Sequence, residues 1–127
     1  MTPLILIIED DEMIRSNLFE FLKLEDFNCI SAENGLIGLS LARQFNPDLI
    51  ISDIYMPKLD GYGVLKHLRE DVRTAKIPLI FLTGNTDENN RDWAWHLGAN
   101  DYLTKPISFS KLLAVINKQL KNLYCLS

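Results

Sequence analysis

The feature that most constrains this chain is a fivefold alternation of short apolar runs with amphipathic stretches. The runs are Leu4 to Ile8, Asn28 to Ala32, Leu49 to Ser52, Leu79 to Leu82 and Asp101 to Leu103. Three of them are almost wholly Ile and Leu, which is how a strand covered on both faces of a parallel sheet reads. Between the runs, apolar residues recur at helical spacing. Ile14, Leu18, Phe21 and Leu22 form one such set, and Leu112, Val115, Ile116, Leu120 and Leu123 form another. Pro47 stops the second helix and Pro78 precedes the fourth strand. Asp60-Gly61 marks a turn into a third helix around Val64, Leu65 and Leu68. Ser108 serves as N-cap of a last helix that is expected to end near Leu120.

Five βα units in succession specify an α/β fold: a doubly wound five-stranded parallel sheet with helices on both faces. Right-handed crossovers leave few topologies, and at this length the flavodoxin-like order 2-1-3-4-5 is expected. With 127 residues, 47% of them hydrophobic and 24% charged, the chain suits one domain over 1–127, with its core at about 4–121 and a short tail. No apolar run approaches the ~20 residues of a membrane helix, and residues 1–8 lack the features of a signal peptide. The net charge of −4 and the lack of any Lys/Arg cluster argue against direct nucleic-acid binding. Cys29 and Cys125 show no metal-ligand spacing, and reduced thiols in a cytoplasmic protein are the expectation.

In a sheet of this order, ligands bind beyond the carboxyl ends of the strands, at the switch point between strands 1 and 3. Strand 1 runs into Glu9-Asp10-Asp11, strand 3 into Asp53 and strand 4 into Thr83, while Lys105-Pro106 follows strand 5. Clustered carboxylates raise one another's pKa unless a cation neutralises them. An all-oxygen donor set suits a hard ion such as Mg²⁺. An Asp beside such an ion, a lysine and a hydroxyl can act as a nucleophile toward phosphorus, because those groups offset charge on the transferring phosphoryl. Phosphoryl transfer to Asp53 is the resulting hypothesis.

Simpler roles compete with it. Asp11 can start the first helix, where a carboxylate favours the helix dipole. Thr83 can be an ordinary β-branched strand residue, Asp53 a turn or N-cap residue, and Lys105 a surface lysine. His67 and His96 lie on helical stretches away from the acidic rim and are read as surface or packing residues. On the fourth helix, Ala94 and Leu97 would face the sheet. Trp93 and Trp95 would diverge by roughly 200°, leaving Trp95 directed toward the fifth helix.

These residues closely resemble the receiver domain of response regulators, the partner of sensor histidine kinases. The resemblance is carried by Ile7-Ile8-Glu9-Asp10-Asp11, by Ser52-Asp53-Ile54-Tyr55-Met56-Pro57 with Asp60-Gly61, and by Phe81-Leu82-Thr83-Gly84. It continues through Gly98-Ala99-Asn100-Asp101-Tyr102-Leu103-Thr104-Lys105-Pro106. It implies that Asp53 accepts phosphate from a phosphohistidine of a sensor kinase or phosphotransfer protein. Mg²⁺ (or Mn²⁺) would then be held by Glu9, Asp10, Asp53 and the backbone carbonyl of Tyr55. It further implies that Thr83 and Lys105 contact the phosphoryl group, that Tyr102 changes rotamer or burial, and that the Lys105-Pro106 bond is cis. Tyr55 and Asn85 fall where the family tunes phosphoryl lifetime. Trp95, Tyr102 and Leu113 fall on the face that receivers use for downstream partners or a homodimer. Glu9 departs from the family's frequent Asp, and its longer side chain would change water-mediated contacts to the metal.

The function expected is a single-domain response regulator, a signalling protein rather than an enzyme. Two other classes compete with it. An Asp-nucleophile phosphohydrolase would need an acid close to the nucleophile, where Tyr55 stands two residues after Asp53, and a substrate cap. A receiver-shaped interaction module that is never phosphorylated would not need the full set Glu9, Asp10, Asp53, Thr83 and Lys105.

Overall fold

The computed structural model describes residues 2–84 and 88–125. Five strands alternate with five helices: β1 Leu4–Ile8, α1 Glu12–Leu24, β2 Asn28–Ala32, α2 Gly35–Phe45, β3 Leu49–Ser52, α3 Gly61–Glu70, β4 Leu79–Thr83, α4 Glu88–His96, β5 Asp101–Thr104 and α5 Phe109–Cys125. All the pairings are parallel, and the sheet order is β2-β1-β3-β4-β5. The doubly wound sheet expected from the alternation is therefore the fold observed.

Strand periodicity sorts the core into two layers. Ile5 and Ile7, Leu49 and Ile51, and Ile80 and Leu82 pack with Leu18 and Leu22 of α1 and Leu112, Ile116 and Leu120 of α5. The alternate positions Leu6, Ile8, Ile50, Leu79 and Phe81 pack with Leu39 and Ala42 of α2, Val64, Leu65 and Leu68 of α3, and Ala94 of α4. Each such Leu or Ile, fully withdrawn from water, contributes roughly 1.5–3 kcal/mol. This two-sided burial is why the central strands need unbroken apolar runs.

The helix starts are set by short polar side chains. Asp11, Asn34 and Asp60 are N-caps of α1, α2 and α3, and each accepts from the backbone N–H three residues on. Asp11 thus takes the capping role, with Ile14 as its donor at 3.1 Å. Helix α2 stops at Asn46, which adopts a left-handed conformation (φ 47°) one residue ahead of Pro47. The last helix runs to Cys125 rather than ending near Leu120. None of residues 121–125 is a Gly or Pro that would halt it. Among the described residues, no helix is long and apolar enough to cross a membrane.

Candidate functional site

The β1–β3 pairing sets Ile8 against Ser52, so Glu9 and Asp53 leave the sheet side by side. Each continues its ladder by one bond: Glu9 N–H donates to the Ala32 carbonyl at 3.0 Å and Asp53 N–H to the Ile8 carbonyl at 2.9 Å. Their side chains are consequently held close to the sheet and are almost fully buried, with Glu9 2% and Asp53 8% exposed. Asp10 is exposed at the mouth. Carboxylate oxygens of Glu9, Asp10 and Asp53 all lie within 4.8 Å of one another.

Lys105 closes the cluster from the loop that follows β5. Its Nζ lies 2.7 Å from Glu9 Oε1 and 3.2 Å from Asp53 Oδ2. The loop that carries it is docked by Lys105 N–H, which donates to the Thr83 carbonyl at 2.8 Å. The Lys105-Pro106 bond is cis, as the resemblance implied. The remaining Asp53 oxygen, Oδ1, accepts from Ile54 N–H at 2.7 Å, which fixes the rotation of the carboxylate.

Electrostatics follow from this crowding. Burial pushes the Glu9 carboxyl up from its ordinary 4.5 to about 7, and the negative charge of Asp53 pushes the same way. The Lys105 hydrogen bond opposes that shift without cancelling it. For Lys105, burial works against the ammonium. Its contacts with Glu9 and Asp53 outweigh burial and hold its pKa above the ordinary lysine value.

Glycine at position 61 allows the loop after Asp53 to pack this tightly. A Cβ there would run into the Asp53 carbonyl oxygen and stand 2.8 Å from the Ile54 Cα. The first turn of α3 therefore rests directly on the loop, and Gly61 N–H donates to the Ile54 carbonyl at 2.6 Å. The sequence marked Gly61 only as a turn signal. Its close approach to Asp53 is a contact between parts of the chain that spacing does not reveal.

The other residues singled out are distributed as follows. Thr83 is the buried last residue of β4. Tyr55 is on the loop after Asp53, with its side chain half exposed. Tyr102 lies under the α4 side of the sheet, 5% exposed, with the Arg91 guanidinium 5.4 Å from its ring centroid. On α4, Ala94 is buried and Leu97 half-buried, while Trp93 and Trp95 are both exposed. Trp93 stacks on His96, also exposed, at 5.7 Å, and His67 is exposed on α3. Leu113 is half-buried on α5, and Pro106 is exposed. Asn85 lies outside the described residues. The rim thus gathers Glu9, Asp10, Asp53 and Lys105, with Thr83 at the adjoining strand end.

Three carboxylates with no His or Cys make a donor set suited to a hard divalent cation. A parallel sheet of order 2-1-3-4-5 with such a rim at its switch point belongs to the flavodoxin-like α/β class, whose ligand sites lie at that point. Residues 5–117 match the family model for the response regulator receiver domain, and the chain belongs to that family. It is thereby a receiver domain of two-component signalling.

Its relatives include Protein PilH of Pseudomonas aeruginosa, 39% identical over 113 residues, covering 89% of this chain and 93% of PilH. The DNA-binding dual master transcriptional regulator RpaA of Synechocystis is 39% identical over 94% of this chain but only 49% of its own length. The chain likewise spans 53% of a probable transcriptional regulator, ycf29, of Pyropia yezoensis, so it covers about half of several relatives it matches. Among solved structures, a putative response regulator from Chloroflexus aurantiacus superposes with a TM-score of 0.91 at 28% identity, covering 95% of this chain and 99% of that one. The receiver domain of the sensor histidine kinase PA1611 from Pseudomonas aeruginosa, with a magnesium ion coordinated in its active-site cleft, gives 0.88 at 25% identity. That match covers 95% of this chain and 99% of the other.

Proposed function

We propose that this chain is a Mg²⁺-dependent (or Mn²⁺-dependent) phosphorylation switch in which Asp53 accepts a phosphoryl group from a phosphohistidine. The donor would be a sensor histidine kinase or a phosphotransfer protein in the cytoplasm. The output would be altered binding of a downstream protein, or of a second copy, through the face that carries Trp95, Tyr102 and Leu113. The observation that supports this most is the contact of Lys105 Nζ with both Glu9 and Asp53 beside a three-carboxylate cluster.

Glu9, Asp10 and Asp53, with the Tyr55 carbonyl, would hold the cation. When bound, it offsets negative charge on the transferring phosphoryl oxygens. An Asp53 carboxylate oxygen forms the new bond to phosphorus while the phosphorus–nitrogen bond of the phosphohistidine breaks. The imidazole nitrogen leaves with the bonding pair and takes up a proton. Ile54 N–H keeps the Asp53 carboxylate oriented during attack. Lys105 supplies a second positive charge to a phosphoryl oxygen, and the Thr83 hydroxyl donates a hydrogen bond to another. Movement of Thr83 toward that group makes room on the α4 side for Tyr102 to reset, and Tyr55 and Asn85 govern access of the hydrolytic water.

The test is incubation of the purified protein with a small acyl phosphate and Mg²⁺, with a chelator-treated control and Asp53→Asn. One phosphoryl group per chain is expected in the first case, and none in either control. Labelling that survives Asp53→Asn would refute the assignment. Steady turnover of small phosphomonoesters would point instead to a phosphohydrolase.

A further inference from the structure

The turn that carries two of the three acidic side chains is held from outside by a residue the chemistry above does not use. Arg15, in the first turns of α1, donates from Nη1 to the Glu9 carbonyl oxygen at 2.8 Å. That oxygen belongs to the peptide joining Glu9 to Asp10, and both flanking side chains are members of the acidic cluster. β1 ends at Ile8, so this peptide lies beyond the last residue of the strand. The Glu9 N–H is tied to Ala32, and Asp11 N–H reaches back to Glu9 Oε2 at 3.2 Å. Asp11 itself caps α1, the helix that carries Arg15. The turn and the helix therefore form one hydrogen-bonded unit, in which Arg15 supplies the side-chain hold on the Glu9–Asp10 peptide plane. Among the described residues, Arg15 forms no ion pair, so its charge is directed at a main-chain oxygen beside three carboxylates.

We propose that Arg15 is a positioning residue for the cation site: by fixing the Glu9–Asp10 peptide, it sets the directions in which both carboxylates face. This rests on reading Glu9, Asp10 and Asp53 as a divalent-cation site. Two physical effects of the guanidinium have opposite signs, which makes the claim decidable. A positive charge near a divalent cation repels it, so through space alone the loss of Arg15 would tighten binding. Loss of an outer-shell hydrogen bond that orients ligands weakens binding, typically by 10-fold or more.

The experiment is calorimetric titration of the intact protein with Mg²⁺, for the wild type, Arg15→Ala, Arg15→Met and Arg15→Lys, with cation-free melting curves alongside. Arg15→Ala and Arg15→Met are expected to raise the Mg²⁺ Kd by about 10-fold. Arg15→Lys retains a cationic donor and is expected to recover most of that loss. Arg15→Met keeps the aliphatic stem and carries the test if Arg15→Ala is too unstable to titrate. A Kd for Arg15→Met equal to or below that of the wild type would overturn the proposal while leaving the cation site intact. Absence of saturable Mg²⁺ binding by the wild type would overturn the cation-site reading itself.

Discussion

Lys105 is the residue on which the electrostatics of the rim turn, because one ammonium group lies against two nearly buried carboxylates, at 2.7 Å from Glu9 and 3.2 Å from Asp53. Lys105→Ala is expected to leave Asp53 able to accept phosphate while weakening the coupling of that event to the α4 surface. Emission from Trp93 and Trp95, both exposed on α4, reports it. The wild type should show a change on phosphorylation and the variant little; an equal change in both would remove Lys105 from the signalling step. Gly61 tests a different kind of constraint. Gly61→Ala drives a methyl group into the loop that carries Asp53, and overpacking of this kind costs about 1–3 kcal/mol. Urea denaturation should show that loss together with slower phosphorylation; wild-type values for both would mean the loop can yield freely. The carboxylates, Thr83 and Lys105 were legible because each stands at a strand end, and strand ends can be counted. The contacts made by Arg15 and Gly61 were not legible, since they join positions that only the folded backbone brings together.

At the scale of elements, the turn between α3 and β4 is secured by charge. Asp71 accepts from Arg73 N–H at 2.9 Å and from Arg73 Nη2 at 2.8 Å, and Arg43 of α2 stands 3.6 Å away. The Arg73 hydrogen bonds, followed by the charges of Arg73 and Arg43, hold the Asp71 carboxyl down at about 2, against its ordinary 3.8. A depressed carboxyl pKa means the unfolded chain binds the proton first. The contact's contribution is thus fully present above pH 3.8 and is lost as pH falls toward 2. Glu9 is present in both the wild type and Asp71→Asn, so its own titration is common to the two curves and their difference reports Asp71. Urea midpoints should therefore fall less steeply between pH 4 and pH 2 in Asp71→Asn than in the wild type; parallel curves would contradict the assignment. The order of the strands came from the right-handed crossover rule applied to five βα units. The three central strands β1, β3 and β4 could be read from their apolar runs, because burial on both faces demands them. The end of α5 could not, because none of residues 121–125 is a Gly or Pro to mark it.

At the scale of the whole molecule, the parallel sheet is what converts scattered sequence positions into one site. Order 2-1-3-4-5 places β1 and β3 side by side at the switch point and brings the loop after β5 across to them. The result is a nearly buried Asp53 among groups that offset charge, in a molecule whose net charge is already −4. A phosphoryl group adds about −1.5 to −2 at that one position. Such a local change can bias a two-state surface elsewhere on the same sheet. Phosphorylation of Asp53 is the step on which the proposed function depends. The most direct measurement is to treat the phosphorylated protein with borohydride, which reduces an acyl phosphate to the alcohol, and to map the product by peptide mass spectrometry. Homoserine at position 53, formed only when Mg²⁺ and the phosphodonor are both supplied, is the result expected. Modification at another carboxylate, or a phosphorylated protein with residue 53 intact, would contradict it.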